Sequence, residues 1–249
     1  MPYGVYLSAA GAHVQSQRLQ VLSNNLANVA TPGFKREFAI FQARHAEEIE
    51  RGKAVPGDKS LTDLGGGVGF VETKTDFSGG TLQQTGNLTD LALRDEGFFV
   101  VAKDGQQFLT RAGNFLFTVD GRLQNDQGYD VLDASRQPIR LNPTAPWQFA
   151  PHGAFQQGGD DIPLAIVAPA ALDELVKNGE NLFTASGSVQ DVGAAQRRVA
   201  QGFLEQSSVR PAEEMMELIE TSRAYEANIR MIQNHDQLLG ALVNRVLRV

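Results

Sequence analysis

Four imidazoles, His13, His45, His152 and His235, are the side chains of this sequence best suited to metal binding or proton transfer, and they are scattered. A zinc site draws its ligands from positions a few residues apart, and no pair of these histidines has that spacing. No serine stands in the turn that exposes a nucleophile. Gly65-Gly66-Gly67-Val68-Gly69 has the glycines of a phosphate loop but not the Gly-Lys-Ser/Thr that places a lysine on a phosphate, so it reads as a flexible joint. Asp160-Asp161 beside Gly158-Gly159 offers carboxylates to a cation, yet further oxygen ligands are lacking nearby and the segment reads as a solvated loop. With zero cysteines, disulfides and thiol chemistry are excluded. No catalytic residue, metal site or cofactor is expected, and the chain does not read as an enzyme.

Spacing is informative at the two ends instead. Val5, Ser8, Ala12, Gln15, Leu19, Leu22, Leu26 and Val29 follow one another in steps of three and four. So do Met215, Leu218, Ser222, Tyr225, Ile229, Ile232, Asp236, Leu239, Val243 and Val246. Each series predicts a coiled-coil seam, so the extreme ends read as an assembly device. From Met1 to Phe34 the only charged side chain is Arg18, while Gln15, Gln17, Gln20, Asn24, Asn25 and Asn28 stand where a solvated helix usually carries Lys and Glu. Neutral amides are cheaper to bury than ions, so a helix touched by neighbours on most sides would have this composition. A helix packed once on its own domain would have it too.

Local chemistry sets the helix ends. Pro32 disfavours helical geometry at Thr31, and Gly33 can take the left-handed conformation that redirects a chain. The C-terminal helix is entered through Ser207, Ser208 and Pro211, with Glu213, Glu214 and Glu217 near the positive end of its dipole and Arg245 and Arg248 near the negative end. At about 1.5 Å per residue the two helices span about 40 and about 55 Å. Ser8, Ala12 and Gln15 give the first heptads little apolar area, so the ends are expected to fray until neighbours cover them.

Between the helices the apolar period changes to two. Gly97–Ala102 leads through Asp104-Gly105 into Gln107–Arg111, and Phe115–Val119 leads through Asp120-Gly121 into Arg122–Gln124, two hairpin signals. Further strands are predicted at Gly69–Phe77, Tyr129–Leu132, Pro138–Leu141, Trp147–Ala150 and Pro163–Val167. Residues 35–68, with a charged run from Arg44 to Lys53, read as an extended or partly helical connector.

The 249 residues, 42% apolar, suffice for one large or two modest cores. A net charge of −7 without a Lys/Arg cluster argues against nucleic-acid binding. Pro163–Leu172, the longest apolar run, is far short of the roughly 20 residues that span a bilayer, so no membrane insertion is expected. The opening MPYGVYLSAAGAHVQ has no basic residue ahead of its apolar stretch, so no cleaved secretory signal is expected.

Three stretches carry a family resemblance. Ser23-Asn24-Asn25-Leu26-Ala27-Asn28-Val29-Ala30-Thr31-Pro32-Gly33-Phe34-Lys35 resembles the N-terminal signature of the bacterial flagellar rod and hook proteins, with Ala30 where the family often has Asn or Ser. Gly97-Phe98-Phe99, then Phe108 to Phe115 and Asp120 to Leu123, is similar to their β body. Gly202 to Val209, with Glu213-Glu214-Met215, Leu218-Ile219 and Arg223 to Asn228, resembles their C-terminal helix. The length suits a proximal- or distal-rod protein better than the longer hook protein.

The resulting fold class is α+β: N- and C-terminal helices forming a coiled-coil-like module, with a central antiparallel β-rich domain. Expected boundaries are 1–34 for the N-terminal helix and its exit turn, 35–75 for the connector, 76–200 for the β domain and 201–249 for the C-terminal helix. The resemblance implies an axial rod component in the flagellar basal body, exported unfolded through the flagellar export apparatus. Its partners would be copies of itself and other rod and hook-family proteins. The expected subunit interface is Leu19, Leu22, Asn24, Asn25, Leu26, Asn28, Val29, Thr31, Pro32, Gly33 and Phe34 with Met215, Leu218, Ile219, Tyr225, Asn228, Ile229, Ile232 and Leu239. A β-headed, helix-stalked binding or adhesion module is the alternative, and it requires terminal helices ordered in the isolated subunit. A hydrolase would need a convergent acid or nucleophile cluster in the β region.

Overall fold

The computed structural model describes residues 3–45, 49 and 65–246. The chain forms two units that interleave in sequence: a helical unit of Met1–Ala27, Glu37–Asp76 and Val209–Val249, and a β unit of Asn28–Arg36 and Phe77–Ser208. Of the charged run Arg44–Lys53, all but Arg44, His45 and Ile49 lies outside the described residues, as do Arg248 and the side chain of Val246.

The helical unit comprises α1 (Tyr3–Ala27), β1 (Glu37–Ala43), β2 (Val68–Thr75) and α2 (Pro211–Val246). α1 stops at Ala27, where the sequence enters the turn leading to Thr31-Pro32, and Gly33 takes a φ of +67°. α2 opens on Pro211, whose missing N–H costs nothing in a first turn, with Glu213 and Glu214 at the positive end of the helix dipole and Arg245 at the negative end.

β1 and β2 pair antiparallel from Glu37 opposite Thr75 to Ala43 opposite Val68, with an irregularity between Ile40 and Phe41. Phe41 meets Phe70 edge to face at 6.0 Å. The connector expected over 35–75 is therefore a paired ribbon over its described residues, and the glycine run is not a loose joint. Arg44 N–H donates to Gly67 O at 2.8 Å and Gly66 N–H to Arg44 O at 2.8 Å, extending the ladder. A Cβ on Gly67 would lie 3.3 Å from that of Ala10, so here glycine permits close approach to α1. The Tyr3 hydroxyl donates to the Gly65 carbonyl.

The β unit comprises β3 (Leu82–Gln84), β4 (Leu91–Leu93), β5 (Phe98–Lys103), β6 (Gln106–Thr110), β7 (Phe115–Phe117), β8 (Leu123–Asn125), β9 (Asp130–Val131), β10 (Gln148–Ala150), β11 (Ala154–Gln157), β12 (Asp160–Pro163), β13 (Ile166–Pro169), β14 (Leu175–Lys177), β15 (Leu182–Ala185), β16 (Val189–Asp191), β17 (Val199–Gln201) and β18 (Phe203–Glu205). A nine-stranded sheet runs β14-β15-β6-β5-β9-β8-β7, with β13 joining β5 to β16. Both Asp-Gly hairpins form, β5–β6 and β7–β8. Asp104 and Gly105 have φ of 52° and 80°, the pair of left-handed residues that a two-residue hairpin turn requires. The predicted strand at Pro138–Leu141 contributes only isolated bridges, Leu132 to Pro138 and Arg122 to Arg140.

β5 explains the unbroken apolar run Phe98-Phe99-Val100-Val101. Phe99 and Val101 enter one core with Phe115, Leu123, Phe155 and Ile166, while Phe98 and Val100 enter another with Leu109, Val167 and Phe183. A strand covered on both faces needs no alternation. Pro163–Leu172 is used likewise, Leu164–Val167 being buried, and no described helix is long and apolar enough to cross a membrane.

Candidate assembly surface

α1 and α2 are antiparallel neighbours in a matched register. A Cβ on Gly4 would fall 2.9 Å from His235 Nε2 and one on Gly11 3.0 Å from Asn228 Oδ1, while Asn25 Nδ2 donates to Glu214 Oε2 at 3.3 Å. Each step of seven along α1 is thus a step of seven back along α2. Between these, Arg18 pairs with Glu217 at 3.3 Å. The closest contacts pair small residues with polar ones, and Gly4 and Gly11, poor helix formers, admit the opposing side chain.

That register rotates the seam by about one residue from the apolar pattern. Leu22 is buried, and Leu19, Leu26, Leu218, Tyr225, Ile229 and Ile232 are partly buried, as is Asn228. Met215 and Ile219 are half exposed and Leu239 is also exposed, so their placement in this chain's own seam is corrected: Glu214, not Met215, meets α1. Hydrogen-bonded polar pairs at the contact are invisible to a search for apolar periodicity. Asn24 is exposed near the end of α1.

The N-terminal signature is largely consumed inside the chain. Asn25 is wholly buried and clamps the backbone of Glu37, donating from Nδ2 to its carbonyl at 2.9 Å and accepting its N–H at Oδ1 at 2.9 Å. Within the β unit, Thr31 caps the turn on Asn28, N–H to carbonyl at 3.1 Å and Oγ1 to Oδ1 at 3.2 Å. Asn181 Nδ2 donates to Pro32 O at 2.8 Å. Gly33 N–H donates to Glu205 O at 2.7 Å, and a Cβ at Gly33 would sit 2.5 Å from the carbonyl carbon of Arg111, so contact and positive φ both demand glycine. Phe34 is buried beneath Lys177, whose ammonium lies 4.1 Å from the ring centroid. Val29 is partly buried in the turn that follows α1.

Sequence reasoning missed the charged node holding this segment. Lys35 and Glu205 are 1% and 3% exposed, and Lys35 Nζ donates to Glu205 Oε1 at 2.7 Å and to Ser78 O at 2.8 Å. Gly80 N–H donates to the same Oε1 at 2.9 Å, and Arg111 Nε approaches Oε2 at 3.7 Å. Burial holds the Arg111 guanidinium below its ordinary pKa, opposed by the charges of Glu205, Glu96 and Asp95. The available signal was that Lys35 directly follows Phe34 and that Glu205 ends the apolar Phe203-Leu204 pair. The partners stand 170 positions apart, which only folding reveals.

The polar chemistry elsewhere is structural or solvated. His152 meets Asp161 at 3.3 Å on the exposed β11–β12 turn, and His235 packs against Gly4. Among the described residues no three His, Cys, Asp or Glu side chains gather as a metal site.

Comparison with known proteins agrees along the chain. Residues 6–35 match the family described as "Flagella basal body rod protein", residues 92–175 the "Flagellar hook protein FlgE/F/G D1 domain", and residues 200–245 the "Flagellar basal body rod FlgEFG protein C-terminal". The chain is 28% identical to the flagellar basal-body rod protein FlgF of Caulobacter vibrioides over 100% of both chains. It is 31% identical to FlgG of Borreliella burgdorferi over 98% of both, and 31% identical to FlgG of Bacillus subtilis over 96% of this chain and 97% of that one. With paired terminal helices, an antiparallel β body between them and similarity over nearly the whole length, the chain belongs to the flagellar basal-body rod protein family.

Proposed function

We propose that this chain is a structural axial component of the flagellar basal-body rod, which joins copies of itself and related rod and hook proteins into a helical tube that carries motor torque towards the hook. The observation that carries this reading is the apolar surface of the helical unit: Met215, Met216, Ile219, Leu238, Leu242 and Val243 all stand exposed on α2. Apolar patches of this kind mark interaction sites, and each residue covered there would contribute about 1.5–3 kcal/mol. A contact that does not close generates a tube.

Within the interface expected from sequence, Met215, Ile219, Leu239 and Asn24 are the residues that touch neighbours. Leu19, Leu22, Leu26, Leu218, Tyr225, Asn228, Ile229 and Ile232 hold the helix pair that presents them. Asn25, Asn28, Val29, Thr31, Pro32, Gly33 and Phe34 set the exit from α1. The absence of cysteine suits passage through the export apparatus as an unfolded chain, and no catalytic or nucleic-acid role is assigned. The test is Ile219→Asp. The purified subunit should keep its thermal unfolding curve, while basal bodies lack a complete rod and cells stop swimming. Normal rods in that strain refute the reading.

A further inference from the structure

α2 is longer than the helix it pairs with. The register that sets Gly4 against His235 brings Tyr3, where α1 begins, level with about residue 236, so the final ten residues of α2, 237–246, run past the start of α1. That overhang is apolar: Leu238 and Leu242 are 61% and 60% exposed, and Leu239, which continues the line of Tyr225 and Ile232 in the α1 seam, is exposed as well. The groove occupied by α1 therefore continues into a stretch that α1 does not reach.

The other uncovered patch lies at the opposite end of α2, where Met216 is 62% exposed and Met215 and Ile219 are about half exposed. The two patches have the same outline. Met215, Met216 and Ile219 reappear 23 residues on as Leu238, Leu239 and Leu242, a displacement of about 35 Å along the helix and about 140° around it. Two-fold pairing joins a patch to itself. Patches at opposite ends and on different sides instead join head to tail, which leaves each new copy with a free patch.

Resting on the rod-subunit reading above, we infer that the patch of Met215, Met216 and Ile219 on one copy packs against the Leu238, Leu239 and Leu242 tip of a second copy, with the two α2 helices parallel and offset by about 23 residues. Charge placement supports this occupant. At that offset Glu220 of one copy falls within two residues of Arg245 of the other, about 3 Å along the axis, and both lie on the same flank of the contact. The like charges Glu213 and Asp236 come level but on opposite flanks. Side chains of this reach form ion pairs across helix flanks as they do in coiled coils.

The chain has no cysteine, so a designed pair reports the contact without background. Ile219→Cys and Leu242→Cys are introduced singly and together, and basal bodies are treated with a short bis-maleimide. The double variant should give a ladder of covalent multimers of this chain, and neither single variant should. A monomeric double variant in rods that contain the protein overturns the inference, as does a dimer from Leu242→Cys alone, the mark of two-fold pairing, or linkage to a different rod protein. As a second route, Glu220→Arg should reduce swimming at least tenfold and Arg245→Glu in the same chain should restore it. Failure of the second change to restore it counts against the proposed pairing. A tagged chain absent from basal bodies refutes the rod-subunit reading itself; one present there but not linked refutes only this contact.

Discussion

In the β unit, Phe99, Phe155 and Phe183 are wholly enclosed by their own chain, whereas in the helical unit Met216, Leu238 and Leu242 are each more than half exposed. The contrast extends to charge. Lys35 and Glu205 are buried together at 2.7 Å, while Arg18 and Glu217 meet at 3.3 Å with 44% and 37% of their side chains exposed. One unit completes its burial alone and the other leaves it to partners. A subunit that must stay soluble before assembly and bind firmly afterwards gains from keeping these tasks on separate stretches of chain.

Changes in the β unit should damage folding, and changes on the helical surface should damage assembly alone. Phe99→Ala removes a ring packed edge to face on Phe115 at 5.2 Å and should cost about 3–5 kcal/mol, read as a fall in the denaturation midpoint of the purified protein. An unchanged midpoint would break the contrast. Lys35→Met strands Glu205 and should cost about 3–5 kcal/mol, while Lys35→Met with Glu205→Leu should recover most of that stability. Asn25→Ala leaves the Glu37 backbone groups unsatisfied and should cost about 1–3 kcal/mol, with faster amide exchange at Glu37. Leu242→Ala on the exposed tip should change subunit stability by no more than about 0.5 kcal/mol yet weaken rods, measured as basal bodies that lose their rods in mild acid. Arg18→Ala removes an exposed ion pair worth about 1 kcal/mol at most, and the difference should shrink as salt rises in chemical denaturation.

Features built from neighbours in sequence were legible in advance. Asp104-Gly105 and Asp120-Gly121 make their hairpins because the turn geometry resides in two residues. Pro32 and Pro211 bound the helices because proline acts on its own backbone and on the residue before it. The β1–β2 ribbon was not legible as a pair, since Phe41 and Phe70 meet only once the intervening chain has folded back. In the seam, Leu22, Leu218 and Tyr225 fell where their spacing indicated, and Met215 and Ile219 did not, because Glu214 had a buried amide to meet.

Residue order alone thus dictated an α+β chain with helical ends and hairpins between, since periodicity and turn chemistry are local. The contacts of Lys35 with Glu205 and of Gly11 with Asn228, and the exposure of Leu238 and Leu242, were settled by folding. Burial is a property of surfaces brought together from distant parts of the chain, and a side chain's partner is chosen by whichever group arrives opposite it.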